Sequence, residues 1–250
     1  MKYLSVCIPT YEMNGLGHVF LKHSFDILTT QTFKDFDVVI SDHSIDTSIQ
    51  DLCDLYKDKL TIHYYRNTNG IGSSSANINN AITHATGTLI KILFQDDFLF
   101  HEKSLEDIVQ HFNINTDHWL VTGCIHTADG IHFYRPFVPR YNRSMHLGNN
   151  TISSPSVLTI KNEGHLLFDE QLIWLMDCEY YKRLHDAFGE PKIIPTVNAV
   201  NRTGTHQVSN TLATKTLRKK EFLYVLQKYE HGICFWYYRI LKFIKDIIKP

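Results

Sequence analysis

Leu89-Ile90-Lys91-Ile92-Leu93-Phe94-Gln95-Asp96-Asp97 decides how the chain is read. An apolar, partly β-branched run broken only by Lys91 reads as a strand buried on both faces of a parallel sheet. Two carboxylates follow at its C-terminal end, and in open α/β sheets that end faces the ligand crevice. Asp96 and Asp97 are therefore expected at the mouth of a cleft. Standing side by side they repel, and a divalent cation or ligand hydroxyls would relieve the cost. The alternative is a solvated turn, because Asp is a common turn former.

Working outward, the sequence alternates strands and helices. Leu4 to Ile8 is a short apolar strand expected to stop at Pro9, with Thr10, Tyr11 and Glu12 beyond its C-terminal end. His18 to Thr30 has near-helical apolar spacing, Phe36 to Ile40 is a second strand ending in Ser41-Asp42-His43, Ser48 to Lys59 a second helix, and Leu60 to Tyr65 a third strand. The Gly- and Ser-rich loop from Asn67 to Ser75 leads into a helix from Ala76 to Ala85. It lacks the Lys-Ser/Thr of a P-loop and the spacing of the dinucleotide fingerprint. Helix His101 to Phe112, strands Trp119 to Gly123 and Val157 to Ile160, and helix Cys178 to Phe188 closed by Gly189 complete the body. The fold class is α/β, a mostly parallel doubly wound sheet with flanking helices.

The stretch from Asp129 to Asn150 mixes Arg135, Arg140 and Arg143 with prolines and aromatics and is expected to be a long, mobile loop, of the kind that is functional or disordered. From Lys215 onward nine Lys and Arg face three acids, a balance of +6 that leaves −7 in the preceding body. Leu217 to Tyr229 and Ile233 to Ile248 read as two amphipathic helices hinged at Gly232. A charged face against an aromatic one suits a helix lying in an anionic bilayer interface, or one packed on the body or a second subunit. Domains are expected as a body, 1–212, in two halves meeting at about residue 100, then a basic amphipathic tail from 213 to 250.

At 250 residues, 43% hydrophobic and 20% charged, the composition is that of a globular protein with a sizeable core. A net charge of −1 gives no pull toward nucleic acid. Cys7, Cys53, Cys124, Cys178 and Cys234 form no CxxC pair, so neither a disulfide framework nor a zinc knuckle is indicated and a reducing cytosol fits. Pro9 interrupts the N-terminus before a signal-peptide core forms, and no run reaches membrane-spanning length without charges. A cytoplasmic protein, peripheral on the inner face of the cell membrane, is expected.

Ser5-Val6-Cys7-Ile8-Pro9-Thr10-Tyr11, Gln31-Thr32-Phe33, Ile40-Ser41-Asp42-His43-Ser44-Ile45-Asp46, Ala76-Asn77, Gln95-Asp96-Asp97 and Asp177 four residues after Ile173 together resemble the family 2 glycosyltransferases, over roughly residues 3 to 210. The resemblance implies the A-type nucleotide-sugar-binding fold and an inverting transfer from a nucleoside diphosphate sugar, UDP favoured, to a glycan or lipid-linked acceptor in bacterial surface polysaccharide synthesis. It places Thr10, Tyr11, Glu12, Asp42, Asn77 and Asp96 at the nucleotide, Asp97 and His206 at a Mg²⁺ or Mn²⁺, and Asp177 as general base. The sequence departs from the pattern at Ser41, Glu12 and Met176, where Asp, Asn and Glu are frequent. Arg135, Arg140 and Arg143 are candidates for an acceptor phosphate, since the guanidinium fork suits that contact. A nucleotidyltransferase and a non-catalytic nucleotide-sugar or membrane-surface binding protein are the rival readings.

Overall fold

The computed structural model describes residues 2–164, 166–205, 207, 212–232 and 235–241. Nine strands among them form one sheet: β1 Leu4–Thr10, β2 Phe36–Asp42, β3 Ile62–Arg66, β4 Leu89–Ile92, β5 Phe98–Leu99, β6 Trp119–Thr127, β7 Phe133–Phe137, β8 Leu158–Lys161 and β9 Lys192–Arg202. Their order is β3-β2-β1-β4-β8-β6-β9-β5, with β7 paired to β6. The long ladders of β1 with β2 and β4, β2 with β3, and β6 with β9 are parallel, whereas β8, β5 and β7 join by short antiparallel ladders. The sheet is mixed and mostly parallel. Because β4 pairs with β8, and β5 with β9, it runs unbroken across both expected halves of the body.

Alternation explains the apolar runs. Leu4, Val6 and Ile8 of β1 pack in one core with α1 (Gly17–Thr30), α2 (Ser48–Tyr56) and α4 (Ser104–His111), while Cys7 packs in the other with α3 (Ser74–His84) and α5 (Met176–Phe188). Both faces are thus covered, as in a doubly wound sheet, and each fully buried aliphatic side chain contributes about 1.5–3 kcal/mol.

Two strand ends differ from expectation, each for a local reason. β1 continues through Pro9, because its ladder with β4 already ends at Cys7 and Ile92 and no further donor is required on that side. β4 ends at Ile92, and two residues later the Phe94 amide donates to Ser156 Oγ, 2.9 Å away, instead of to a strand. The chain then turns, the Asp97 N–H donating to Phe94 O at 3.0 Å. Lys91 is fully buried, with Nζ bonded to the carbonyls of Ser156 and, at 3.4 Å, Leu158.

The stretch expected as a long loop is structured. Asp129 Oδ1 accepts from the N–H groups of Ile131 and His132, Gly130 supplies a φ of +83°, and the chain returns as β7. Pro136 sits in β7 at the sheet edge, where a missing N–H is tolerated. Lys215–Tyr229 is a helix, α6, and Phe222, Val225 and Leu226 are buried against the body, so this part of the expected tail packs on protein. Residues 235–241 are helical. No helix among the described residues is long and apolar enough to cross a membrane.

Candidate active site

A cleft of about 680 Å³ opens at the C-terminal ends of the parallel strands. Tyr11 and Glu12 follow β1, His43 follows β2, and Gln95, Asp96 and Asp97 follow β4; Gly72, Ser73, Ser74 and Asn77 come from the start of α3. The remaining wall is built from Asn150, Ser153 and Ser154, from Ile173 to Asp177, and from Asn201 and Arg202 at the end of β9. Gln95 ties the loops after β1 and β4 together, its Nε2 donating to Tyr11 O at 3.0 Å while its Oε1 accepts from Tyr11 N at 2.9 Å.

Asp97 is buried, with Oδ1 accepting from the Arg202 N–H at 2.9 Å and Oδ2 from Ser154 Oγ at 3.0 Å. Burial first, and then the charge of adjacent Asp96, hold its carboxyl well above the ordinary carboxylate range. Glu12 adds a further carboxylate to the cleft, and its buried Oε2 has no hydrogen-bond partner among the described residues. The cleft thus gathers three acids at its donor end, beside the Arg202 guanidinium, whose Nε donates to Asp96 O at 3.1 Å.

Asp177 opens the first turn of α5 and is half-buried. Its Oδ1 accepts from the Cys178 N–H and its Oδ2 from Asn150 Nδ2, both at 2.7 Å. Burial pushes its carboxyl up to about 6, against those two donors. Near neutral pH it is an ionised acceptor facing the same cleft as Asp97, the protonation state a general base requires.

Residues 5–161, more than half of the chain, match glycosyl transferase family 2. The chain belongs to that family. It is 31% identical over 114 residues to a GalNAc(5)-diNAcBac-PP-undecaprenol beta-1,3-glucosyltransferase of Campylobacter jejuni, a match covering 45% of this chain and 35% of that one. The chain therefore spans about a third of that curated relative. Among solved structures, S. aureus TarS 1-349 in complex with UDP superposes with a TM-score of 0.63 at 18% identity, over 93% of this chain and 67% of that one. The mannosyltransferase PcManGT from Pyrobaculum calidifontis, in complex with GDP-Man and Mn²⁺, gives 0.64 at 16% identity over 93% and 66%. At such identities these two show the fold, the A-type α/β fold of glycosyltransferases.

The structure brings Tyr11, Glu12, Asn77, Asp96, Asp97 and Asp177, expected from the family 2 pattern, to one cleft. Thr10 and Asp42 lie behind its wall, both fully buried. Asp42 accepts from Thr10 Oγ1, from the N–H and Oγ of Ser44, and from Tyr64 OH, and pairs with Arg66 at 3.4 Å, so its oxygens are spent inside the protein. The next residue along, His43, lines the cleft instead. Arg135, Arg140 and Arg143 are exposed and none lines the cleft. His206 lies outside the described residues. Sequence reasoning missed Asn150, Ser153, Ser154, Asn201 and Arg202. For the last two the available signal was position, since they end a strand in the sheet that carries Asp97.

Proposed function

We propose that the chain transfers a sugar, with inversion, from a nucleoside diphosphate sugar to a hydroxyl of a glycan or lipid-linked acceptor. The observation that carries this reading is one cleft lined by both Asp97 after β4 and Asp177 at the start of α5. The donor lies over the ends of β1, β2 and β4, with its base near Tyr11 and His43 and its diphosphate toward Asp96 and Asp97. Asp42 serves the base indirectly, by holding the Ser44 turn that carries His43. Asp177 takes the acceptor's proton as the hydroxyl attacks the anomeric carbon, and one displacement inverts that carbon.

A hard cation fits the donor set. Asp96, Asp97 and Glu12 present oxygen only, and the Glu12 Oε2 is unsatisfied among the described residues. That suits Mg²⁺ or Mn²⁺, commonly held by one or two carboxylates together with substrate phosphates. Asp97, with Asp96, would hold it, and when bound it would neutralise charge on the departing diphosphate. The PcManGT complex with Mn²⁺ supports this reading by fold analogy. The undecaprenol diphosphate named for the C. jejuni relative favours a lipid-linked acceptor and thus work at a membrane surface. Assaying UDP-glucose, UDP-GlcNAc and GDP-mannose with and without Mn²⁺, against a polyprenyl diphosphate glycan, tests the proposal. Sugar transfer is expected from one of the donors; nucleotide binding without turnover would favour a binding protein, and release of inorganic diphosphate from a nucleoside triphosphate a nucleotidyltransferase.

A further inference from the structure

Asn150 stands where a short segment of chain meets the proposed base. Its Oδ1 accepts from the N–H groups of Ile152 and Ser153, both at 2.9 Å, while its Nδ2 donates to Ser153 O at 3.0 Å and to Asp177 Oδ2 at 2.7 Å. Both donors and both acceptor positions of the amide are used. Turning the amide over would set donor against donor at Ile152 and Ser153, so an N–H always faces Asp177. Ser153 itself has a φ of +103°, which a residue with a side chain adopts only when neighbours hold it there. Those neighbours are Asn150, the Tyr181 hydroxyl donating to Ser153 O at 3.1 Å, and Asn201 Nδ2 donating to Ser153 Oγ at 2.6 Å. The next residue, Ser154, donates to Asp97. A strained turn, pinned from three sides, therefore sits between the carboxylate of the donor site and that of the base.

We propose that Asn150 is the positioning residue of Asp177, fixing Oδ2 while the Cys178 N–H fixes Oδ1, so that the carboxylate is already oriented toward the acceptor hydroxyl before substrate arrives. The inference rests on the reading of Asp177 as base. With a donor on each oxygen, the carboxylate plane is set and each oxygen keeps a lone pair for the incoming proton. Such preorganisation matters because rate depends steeply on the geometry of the reacting groups. The competing explanation is that Asn150 only closes the turn at Ser153, and one amide bond separates the two, since only the Nδ2 to Oδ2 contact leaves the turn.

The test uses the full chain and three variants: Asn150→Ala, Ser153→Gly, and both together. Glycine adopts the φ of Ser153 freely, so it restores the turn that Asn150→Ala loosens without restoring the donor to Asp177. With UDP release from UDP-glucose and Mn²⁺ as the probe, Asn150→Ala should lower kcat about tenfold, the order expected for a hydrogen bond to a charged group, with KM little changed. The double variant should stay as slow relative to Ser153→Gly alone. In a carbon-13 NMR titration of the Asp177 carboxyl, the midpoint should rise in Asn150→Ala, because a donor favouring the ionised form is gone. Recovery of kcat in the double variant, or an unmoved midpoint, overturns the proposal. Asp177→Asn, run alongside, keeps the readings apart: turnover at the wild-type rate there removes the base while the NMR midpoint still judges Asn150. The midpoint likewise decides the matter if UDP-glucose is not turned over.

Discussion

At the level of single residues, the cleft contrasts two acids of different surroundings. Asp97 is buried beside the charge of Asp96, so its charged form is costly, despite the donors Ser154 Oγ and Arg202 N–H, until something positive shares it. Asp97→Asn removes the charge while keeping the shape, and calorimetry of UDP binding should then show no gain from Mn²⁺, whereas the wild type gains. Asp177 is balanced differently, ionised above about pH 6. Asp177→Asn should lower transfer by roughly 10²- to 10⁴-fold, with UDP affinity little changed. The wild-type kcat should fall as pH drops through about 6, since protonation removes the base. Stability moves the opposite way: the folded carboxyl sits above its ordinary value of 3.8, so wild type loses stability as pH rises from there to about 6, and Asp177→Asn should not, which melting curves across that range would show. Asp96 and Asp97 were legible because they follow an apolar strand at the end that faces a crevice, and Asp177 through its place in the family 2 pattern. Asn150, Ser154 and Arg202 were not, because their contacts join residues 27, 57 and 105 positions apart, which no local pattern encodes.

Secondary-structure elements carry the next layer, and here α6 serves the site from a distance. Glu221 is buried and its two oxygens accept from the N–H groups of Ile173, Trp174 and Leu175, at 2.8 to 2.9 Å, just ahead of α5. Leu175, the residue capping that helix, has no side-chain cap of its own, so a carboxylate from a different helix supplies the acceptors and meets the positive end of the helix dipole. Glu221→Ala leaves buried donors unpaired and should cost roughly 1–3 kcal/mol in chemical denaturation, together with a loss of transfer because Asp177 lies in the first turn of that helix. A second element-level device is Lys91, which ties β4 to the start of β8. Burial pushes its ammonium down to about 7 from 10.5, so the unfolded chain holds the extra proton across that window and stability rises with pH from 7 to 10.5. Lys91→Met should flatten that rise in denaturation curves recorded at several pH values. The parallel strands and their helices were readable from apolar runs and spacing. The β6–β7 hairpin was not, although Asp129-Gly130 announces such a turn, because Pro136 and a run of arginines and aromatics read as irregular chain.

For the molecule as a whole, the basic C-terminal stretch divides in two. Its first part is structural: α6 buries Phe222, Val225 and Leu226, Lys228 pairs with Asp169 at 2.6 Å and with Glu179 at 2.8 Å, and Tyr229 donates to Glu179. Beyond Gly232 the character changes. Trp236, Tyr237 and Ile240 stand 58%, 57% and 55% exposed, and Arg239 lies over the rings of Phe235 and Trp236. Aromatic rings with cationic neighbours suit the headgroup region of an anionic bilayer, where each basic residue adds about 1 kcal/mol of attraction. The remainder of that stretch, from residue 242, lies outside the described residues. Cutting the chain at Lys215 would remove Glu221 and unsettle the helix that carries Asp177, so any loss of membrane binding there would be confounded with loss of fold. The informative cut is after Gly232, which keeps α6 whole. That truncation should retain the melting temperature and UDP binding but lose flotation with phosphatidylglycerol vesicles. Flotation equal to that of the full chain would place the membrane contact on the body and leave the exposed aromatics to be explained by a protein partner.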